Sequence, residues 1–357
     1  MFSYQQIKER LLHDIRRMPS DSKLLSRPEL SKKYLVSRTT IDRAISELIG
    51  EGLLYARDGS GTYVAKAVEA PKSLNDFFTS WGVILPDIRH DTYPGILRGI
   101  EDVANANGIN IVICNSDNEE RKQADYIIKL IASRVSGIII VPALIPRTDP
   151  EIFFHLEHAG IPLVFCNRAI EGVDAPKVFS NNFYGAYKIT RHLLSNGYKR
   201  IGFITRTWYS IAFERFQGYL SALAEAGVQS NEKLYTFTAD ADGCIDETVA
   251  ARTLINAKDP VDAIFCFNDS IAWNVFWELD KAGKRIGKDF GLVGYDNTHI
   301  CDQCPIKLTS MDFRTYETGH ESAKLLLMMT KKEPLEKNKV IVLHPKLEIR
   351  ESSQKSE

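Results

Sequence analysis

The sequence predicts an α/β protein in which two doubly wound lobes follow a small helical head. From residue 81 onward, apolar runs of four to seven residues alternate with helical stretches, which is typical of parallel strands covered on both faces. The alternation occurs as two successive series, and this indicates two lobes. The first 66 residues differ, because three amphipathic segments there precede two short apolar runs around a glycine-rich turn.

The charge distribution supports the same division. The 357 residues include 45 Lys and Arg against 46 Asp and Glu, so the formal net charge is -1, which by itself argues against nucleic acid as a partner. Residues 1–66, which we call the head, carry 12 basic and 8 acidic residues, whereas the remainder carries 33 and 38. We predict a linker over residues 67–77, where Pro71 interrupts a short polar stretch, and a body over residues 78–357. The net positive charge of the head is therefore compatible with nucleic acid as a partner.

The head pattern predicts three helices and a hairpin. Apolar residues at helical spacing predict a first helix over residues 4–17, and Pro28 fits the first turn of a second helix that ends near Tyr34. Ser37 is a plausible N-cap for a third helix that ends near Gly50. Strands at residues 53–57 and 61–66 flank the turn Asp-Gly-Ser-Gly. This order predicts a winged helix-turn-helix domain.

The segments SRPEL and VSRTTIDRAISELIGEGLLYARDGSGTYVA resemble the GntR family of bacterial transcription regulators. The resemblance implies that the third helix enters the major groove of DNA and that the hairpin touches the neighbouring minor groove. Hydroxyl groups can bind phosphates, and Arg38 can read a guanine edge or clamp a phosphate. The DNA-binding residues expected on this basis are Arg27, Ser37, Arg38, Thr39, Thr40, Arg43, Ser60 and Gly61.

Two positions depart from the family pattern. Asp42 and Pro28 stand where the family often has arginine, and the resemblance makes both of them DNA-contact positions. Arg43 and Arg27 are the adjacent residues, but one step along a helix is a rotation of about 100°. We therefore expect an operator sequence that differs from those of better-known relatives.

The body pattern predicts a cleft between two lobes. The first series contains the strands WGVILP, INIVIC, SGIIIVP and IPLVFCN, with helices over residues 94–107 and 119–133 and a third through His155. The second contains RIGFIT, LYTF, AIFCFN and DFGLVGYD, with helices over residues 212–227, 246–257 and 270–282. In such folds ligands bind outside the carboxyl ends of the parallel strands.

Polar and aromatic side chains follow these strands. They are Asp87, Tyr93, Asn115, Asp117, Asn167, Arg168, Arg206, Trp208, Tyr209, Asn268, Asp269, Asp296 and Asn297. Amides and carboxylates can pair with sugar hydroxyls while an aromatic face covers the C–H side of a ring, so this set suits a polyhydroxylated ligand. Asp269 precedes a predicted helix and is interpreted as its N-cap rather than as a ligand contact.

The body resembles the effector-binding domain of the LacI family, which shares its fold with periplasmic sugar-binding proteins. The segments that carry the resemblance include GILRGIEDVANANG, IPLVFCNR, RFQGYLSALAEAGV and VGYDN. Effector contacts are implied at Thr92, Tyr93, Arg168, Arg215, Asn268 and Asp296, and we add Asn167 and Trp208 as candidates. Asn167 and Asn181 stand where relatives commonly have Asp. A GntR-type head on a LacI-type body resembles the arabinose-repressor type of regulator.

These resemblances lead us to expect a transcriptional regulator, most simply a repressor of carbohydrate catabolism genes. Its partners would be a palindromic operator, a small sugar or sugar phosphate, and a second copy of the chain in a homodimer. No secretory signal or membrane span is apparent in the sequence, so a cytoplasmic location is expected.

Two other classes of function remain as alternatives. A sugar receptor for transport would leave the basic head unexplained, and a carbohydrate-active enzyme would need catalytic groups that no recognised motif supplies. No cofactor is expected. Cys301 and Cys304 form a single CxxC, and a zinc site usually requires a second such pair.

Overall fold

The computed structural model describes residues 4–15, 18–50, 52–57, 59–65, 79–143, 150–205, 210–230, 232–237 and 246–355. The chain forms two compact units, Met1–Phe77 and Phe78–Glu357. The predicted linker and the residues Arg206, Trp208 and Tyr209 lie outside the described residues.

The described part of the head contains the predicted helices and hairpin. They are α1 (Tyr4–Ile15), α2 (Arg27–Tyr34), α3 (Arg38–Gly50), β1 (Leu54–Arg57) and β2 (Gly61–Val64). The strands pair antiparallel, with Leu54 opposite Val64 and Arg57 opposite Gly61. One buried apolar cluster holds the helices and the hairpin together, and it includes Ile7, Leu11, Leu30, Ile41, Ile45, Leu48 and Leu54.

Local sequence explains where α2 and α3 begin and end. The Ser26 backbone N–H donates to the Glu29 carboxylate at 2.7 Å, so that these two residues form a capping box at the start of α2. Leu35, at φ 56°, ends α2 in the left-handed region. The Ser37 hydroxyl accepts a bond from the Thr40 backbone N–H at 3.3 Å, as expected of the N-cap of α3.

The body elements follow in chain order. They are β3 (Ser80–Leu85), α4 (Thr92–Ala106), β4 (Asn110–Asn115), α5 (Glu120–Ala132), β5 (Gly137–Ile140), α6 (Glu151–His158), β6 (Leu163–Cys166), β7 (Lys177–Ser180), α7 (Asn182–Ser195), β8 (Ile201–Thr205), α8 (Ser210–Glu225), β9 (Tyr235–Phe237), α9 (Glu247–Ile255), β10 (Ala263–Cys266), α10 (Asp269–Lys281), β11 (Gly291–Tyr295), α11 (Ile300–Gln303), β12 (Thr309–Asp312), α12 (Thr315–Thr330), β13 (Val340–Leu343) and β14 (Lys346–Glu348).

The described strands of the body form one six-stranded sheet in each lobe. The sheet of lobe 1 has the order β13-β7-β6-β5-β3-β4, and all its pairs are parallel. The sheet of lobe 2 has the order β14-β12-β11-β10-β8-β9, and only its edge strand β14 is antiparallel among these pairs. The strand orders show that the chain passes between the lobes after β7, after β12 and after β13. The helix that follows each of the first two crossings belongs to the new lobe, since α7 packs on α8 and α12 packs on α4. The predicted α/β class with two parallel-sheet lobes is confirmed.

Short strands with mixed polarity were missed by the sequence pattern. The strands β7 and β12 read KVFS and TSMD, which lack a continuous apolar run. The buried hydroxyls of β12 are satisfied by bonds that the sequence does not show: Thr309 Oγ1 donates to the Arg350 carbonyl at 3.0 Å, and Ser310 Oγ donates to Asp269 Oδ1 at 2.6 Å. Within the described ranges, no helix is long and apolar enough to cross a membrane.

Candidate functional site

The interlobe cleft lies at the carboxyl ends of the strands. Lobe 1 contributes the start of α4 and the segment after β6, whereas lobe 2 contributes α8 and the segments after β10 and β11. Six of the predicted contacts are buried here: Thr92, Tyr93, Arg168, Arg215, Asn268 and Asp296. The predicted residue Asn167 is partly exposed, and Trp208 lies outside the described residues.

Arg215 is held rigidly in the wall of lobe 2, where its side chain is only 4% exposed. Its Nε donates to Asn182 Oδ1 at 3.0 Å, its Nη1 donates to the Phe267 carbonyl at 2.5 Å, and its Nη2 donates to Asp296 Oδ1 at 3.2 Å. The guanidinium carbon lies 3.5 Å from the ring centroid of Tyr295 and 4.5 Å from that of Phe267. The planar group therefore has one fixed orientation.

Asp296 connects the two lobes. Its Oδ2 accepts a bond from Thr92 Oγ1 of lobe 1 at 3.4 Å, while its Oδ1 pairs with Arg215 of lobe 2. Burial raises the pKa of the Asp296 carboxyl, and Arg215 partly opposes this effect. At the rim, His299 Nδ1 of lobe 2 lies 3.4 Å from Asp91 Oδ1 of lobe 1.

A second group of polar side chains lines a cavity of about 130 Å³ next to Arg168. Arg168 Nη2 donates to Tyr93 Oη at 2.8 Å, which fixes both side chains on lobe 1. Asn182 and Glu214 line the cavity from lobe 2. Glu214 is exposed to the cleft, and partial desolvation by the cleft walls raises the pKa of its carboxyl.

Sequence reasoning missed Asn182 because the strand before it, β7, was not predicted, and it missed Glu214 because this residue lies within α8, away from any strand end. The available signal was their spacing from residues already singled out, since Glu214 precedes Arg215 and Asn182 follows Asn181. Asn181 itself is the N-cap of α7, and its Oδ1 accepts from the Tyr184 backbone N–H at 2.9 Å. An amide oxygen caps a helix as well as a carboxylate does.

The interpretation of Asp269 as a helix cap was wrong. Asn268 is the N-cap of α10, because its Oδ1 accepts from the Ile271 backbone N–H at 2.9 Å. Asp269 is fully buried and instead accepts bonds from the Thr298 backbone N–H at 2.7 Å and from Ser310 Oγ at 2.6 Å. It therefore fixes the segment that follows β11, and burial raises the pKa of its carboxyl to about 7.

Other polar residues at strand ends stabilise loops. Asn115 Oδ1 accepts from the Ile88 backbone N–H at 2.9 Å, and Arg89 bonds to the Asp87 carboxylate. Asn297 Oδ1 accepts from Arg350 Nη2 at 2.8 Å. These contacts give the corresponding side chains a structural role at the edge of the cleft.

The exposed surface of α3 carries several of the predicted DNA contacts. Arg38 and Thr39 are exposed, and the Ser37 hydroxyl lies 3.0 Å from Thr39 Oγ1 and 2.8 Å from Thr40 Oγ1. Arg43 Nε lies 3.8 Å from Glu47 Oε1 on the same helix. The side chains thus present hydroxyl and guanidinium groups to solvent.

Arg27 is placed differently from the other predicted contacts. Its Nε donates to Asp42 Oδ1 at 2.7 Å, and its Nη1 donates to Thr62 Oγ1 at 3.2 Å. One side chain thereby joins α2, α3 and the hairpin. Of the two positions that depart from the family pattern, Asp42 bonds to Arg27 directly, and Pro28 is the next residue along the chain from Arg27.

Two stacked aromatic side chains lie beside the tip of the hairpin. Tyr55 and Tyr63 stack with ring centroids 5.8 Å apart, and the Arg57 guanidinium lies over both rings. Ser60 Oγ lies 2.6 Å from Tyr63 Oη, and Gly61 has φ 124°, which favours glycine. The tip is therefore shaped by local contacts.

Five of the six cysteines lie in the described part of the chain, and all five are buried and form no disulfide. Burial raises the pKa of the Cys304 thiol to about 11 and that of Cys166 to about 12. Among the described residues, no group of three or more His, Cys, Asp or Glu side chains is placed to hold a metal ion.

Comparisons with known proteins match both parts of the chain. Residues 3–64 match the gntR family of bacterial regulatory proteins, and residues 190–353 match the periplasmic binding protein-like domain. The chain is a transcriptional regulator with a GntR-type head. The regulator is 26% identical to an arabinose metabolism transcriptional repressor of Halalkalibacterium halodurans, and the match covers 99% of this chain and 96% of that protein.

Two further comparisons concern the body of the regulator. A ribose operon repressor of H. halodurans is 29% identical over 71% of this chain and 74% of its own length. The solved complex of the transcriptional regulator CelR with cellobiose matches with a TM-score of 0.67 and 26% identity, and it covers 88% of this chain and 90% of its own. The relatives are repressors of transcription, so the regulator belongs with non-enzymatic proteins rather than with carbohydrate-active enzymes.

Proposed function

We propose that this regulator represses carbohydrate catabolism genes in the cytoplasm, and that a small neutral sugar in the interlobe cleft controls its affinity for a palindromic operator. It acts as a homodimer, so that two heads meet the two half-sites of the operator. The effector contacts are Thr92, Tyr93, Asn167, Arg168, Trp208, Arg215, Asn268 and Asp296, together with Asn182 and Glu214.

The paired charges of the cleft are the observation that carries this proposal. Arg215 bonds to Asp296, and Glu214 lines the same cavity as Arg168. The cleft thus contains two carboxyl groups as well as two guanidinium groups, so a doubly charged phosphate would find little net positive charge. A neutral sugar has the complementary chemistry, because its hydroxyls both donate and accept hydrogen bonds.

The names of similar proteins support the same class of ligand. One relative is named for arabinose metabolism and another for the ribose operon, and the CelR structure contains cellobiose. Pentoses, hexoses and disaccharides therefore all belong in the first screen.

A thermal-shift screen of the full-length protein tests the effector. A sugar that binds the native state raises the apparent melting temperature in proportion to the logarithm of its concentration at saturation. Arg168→Ala should abolish the shift, whereas Arg191→Ala, which removes a surface pair with Glu225, should retain it. A shift produced by sugar phosphates but by no neutral sugar would contradict the proposed ligand.

Gel-shift titration against upstream DNA of neighbouring catabolic genes tests the operator. Arg38→Ala should remove sequence-specific binding while the sugar-induced thermal shift persists, because the substitution lies in the head. Binding by the unaltered protein should weaken steeply as salt rises, since phosphate contacts release counterions. Unchanged specific binding by Arg38→Ala would contradict the assignment of α3 to the major groove.

A further inference from the structure

The ion pair between Arg27 and Asp42 lies on the surface that the proposed function assigns to DNA. Arg27 Nε donates to Asp42 Oδ1 at 2.7 Å, and the two side chains remain 35% and 44% exposed. The second oxygen, Asp42 Oδ2, has no hydrogen-bond partner among the described residues. A carboxylate here needs explanation, because a DNA surface is negatively charged.

The position of Asp42 on α3 is defined by its neighbours. Ile41, Ala44, Ile45 and Leu48 point into the head core, so Asp42 lies on the flank of the helix that also carries Arg38. Residues four apart occupy the same face of a helix and are separated by about 6 Å along its axis. Asp42 and Arg38 would therefore reach base pairs about two steps apart.

Hydrogen-bond chemistry limits what Asp42 can contact. An ionised carboxylate only accepts, and phosphate oxygens also only accept, so the two groups cannot bond. In the major groove the amino group of cytosine is a donor that Asp and Glu accept from, whereas the amino group of adenine lies beside the acceptor N7. Cytosine is the base that fits this side chain.

Arg27 solves the two problems of such a contact. Its positive charge offsets the repulsion between Asp42 and the flanking phosphates, and its bond to Oδ1 fixes the carboxylate so that Oδ2 can face a base. Its second bond, from Nη1 to Thr62 Oγ1 at 3.2 Å, anchors the guanidinium to the hairpin. Because Thr62 is 5% exposed, this anchor is well ordered by packing.

Resting on the proposed DNA binding, we infer that Asp42 is a specificity-determining residue that accepts a hydrogen bond from cytosine in each operator half-site, and that Arg27 is its positioning residue. The cytosine lies within two or three base pairs of the base read by Arg38. This contact accounts for an acidic residue on a basic DNA-binding surface.

Selection from a pool of random DNA duplexes with the full-length protein tests the inference. The unaltered protein should enrich a motif with one base pair per half-site at which cytosine is preferred by about ten-fold. Asp42→Ala should remove the preference at that pair alone. Asp42→Asn should transfer it toward adenine, since an amide bonds to both N6 and N7 of adenine.

Arg27→Lys separates positioning from charge. Lysine retains the positive charge but has no Nε fork, so affinity averaged over all sequences should be kept while the cytosine preference falls. Asp21→Asn, which removes one negative charge elsewhere in the head, should leave the preference unchanged. Melting curves of each variant establish that the head and body remain folded.

Two results would overturn the inference, and they are distinguishable. An Asp42→Ala motif identical to that of the unaltered protein would mean that Asp42 only neutralises Arg27. Failure of the unaltered protein to enrich any motif would overturn the proposed operator binding itself, and the inference with it.

Discussion

Burial makes the pair of Arg215 and Asp296 essential to the fold as well as to the cleft. Both side chains are less than 10% exposed, and removal of one partner leaves the other as an uncompensated buried charge. We expect Arg215→Ala to lower the free energy of unfolding by about 3–5 kcal/mol, as measured by urea denaturation. The surface variant Arg191→Ala should cost less than about 1 kcal/mol.

A double-mutant cycle separates the charge effect from packing. Arg215→Met combined with Asp296→Asn removes both charges, so its cost should be smaller than the sum of the two single costs. Strict additivity would mean that the pair contributes no coupling energy. Both single variants should also lose the sugar-induced thermal shift.

The raised pKa of Asp269 makes stability depend on pH with a defined sign. Its pKa is about 7 in the folded protein and close to 3.9 in an unfolded chain, so the native state holds the extra proton between these values. The free energy of unfolding therefore decreases as pH rises from about 4 to 7 through this group. Burial is the main cause, and the nearby Asp296 adds to it.

Unfolding measurements on the Asp269→Asn variant and the unaltered protein at pH 5 and pH 8 test this dependence. The amide oxygen can keep the bond from the Thr298 N–H, while the amide nitrogen can donate to Ser310 Oγ. We expect the stability of the variant relative to the unaltered protein to increase by about 2 kcal/mol from pH 5 to pH 8. Parallel pH curves of the two proteins would contradict the assignment.

At the scale of elements, glycines set the distance between helices in both lobes. A Cβ on Gly99 of α4 would lie 2.2 Å from the Tyr316 carbonyl oxygen of α12, and one on Gly218 of α8 would lie 2.1 Å from the Phe183 carbonyl oxygen of α7. The obstructing atoms are backbone, so rotation of a side chain cannot relieve the clash. Each lobe thus depends on a close helix pair.

Gly99→Ala should consequently destabilise the body. We expect a loss of about 1–3 kcal/mol in the free energy of unfolding, measured by urea denaturation, because α4 and α12 must separate. Gly50→Ala is the matched control, since this helical glycine has no atom within 4 Å of the added methyl. The control should be neutral or slightly stabilising; equal losses in the two variants would exclude close packing as the cause.

Sequence periodicity predicted the elements whose apolar residues lie in one continuous run or on one helix face. It therefore located α3, β5 and β10 within a few residues. It did not assign β12, because buried Thr309 and Ser310 resemble loop residues until their partners from distant segments are known. The same limitation made Asp269 rather than Asn268 the predicted N-cap of α10, since cap geometry depends on the last residue of β10.

The cleft was predicted in part for a related reason. Residues that follow strands, such as Arg168 and Asp296, can be assigned to one edge of a sheet from topology alone. Asn182 and Glu214 reach the cleft only because α7 and α8 pack together after the chain passes between the lobes. That crossing is a tertiary feature, and no local pattern encodes it.

At the scale of the whole molecule, the proposed regulation requires coupling between the sugar and the operator. Two binding reactions on one protein are linked reciprocally, so a sugar that changes operator affinity by some factor must have its own affinity changed by that factor. A coupling of about 1–3 kcal/mol corresponds to a 5- to 150-fold change. The basic head and the acidic remainder of the chain provide the two separate sites for this test.

Sugar titrations by calorimetry, with and without a saturating operator duplex, measure the coupling directly. We expect the ratio of the sugar dissociation constants with and without operator to equal the ratio of the operator dissociation constants with and without sugar. The variant Arg38→Ala should show one sugar affinity in both conditions, because it does not bind the operator specifically. If the unaltered protein also binds sugar equally well in both conditions, the cleft does not control the head, and sugar binding serves another purpose in this chain.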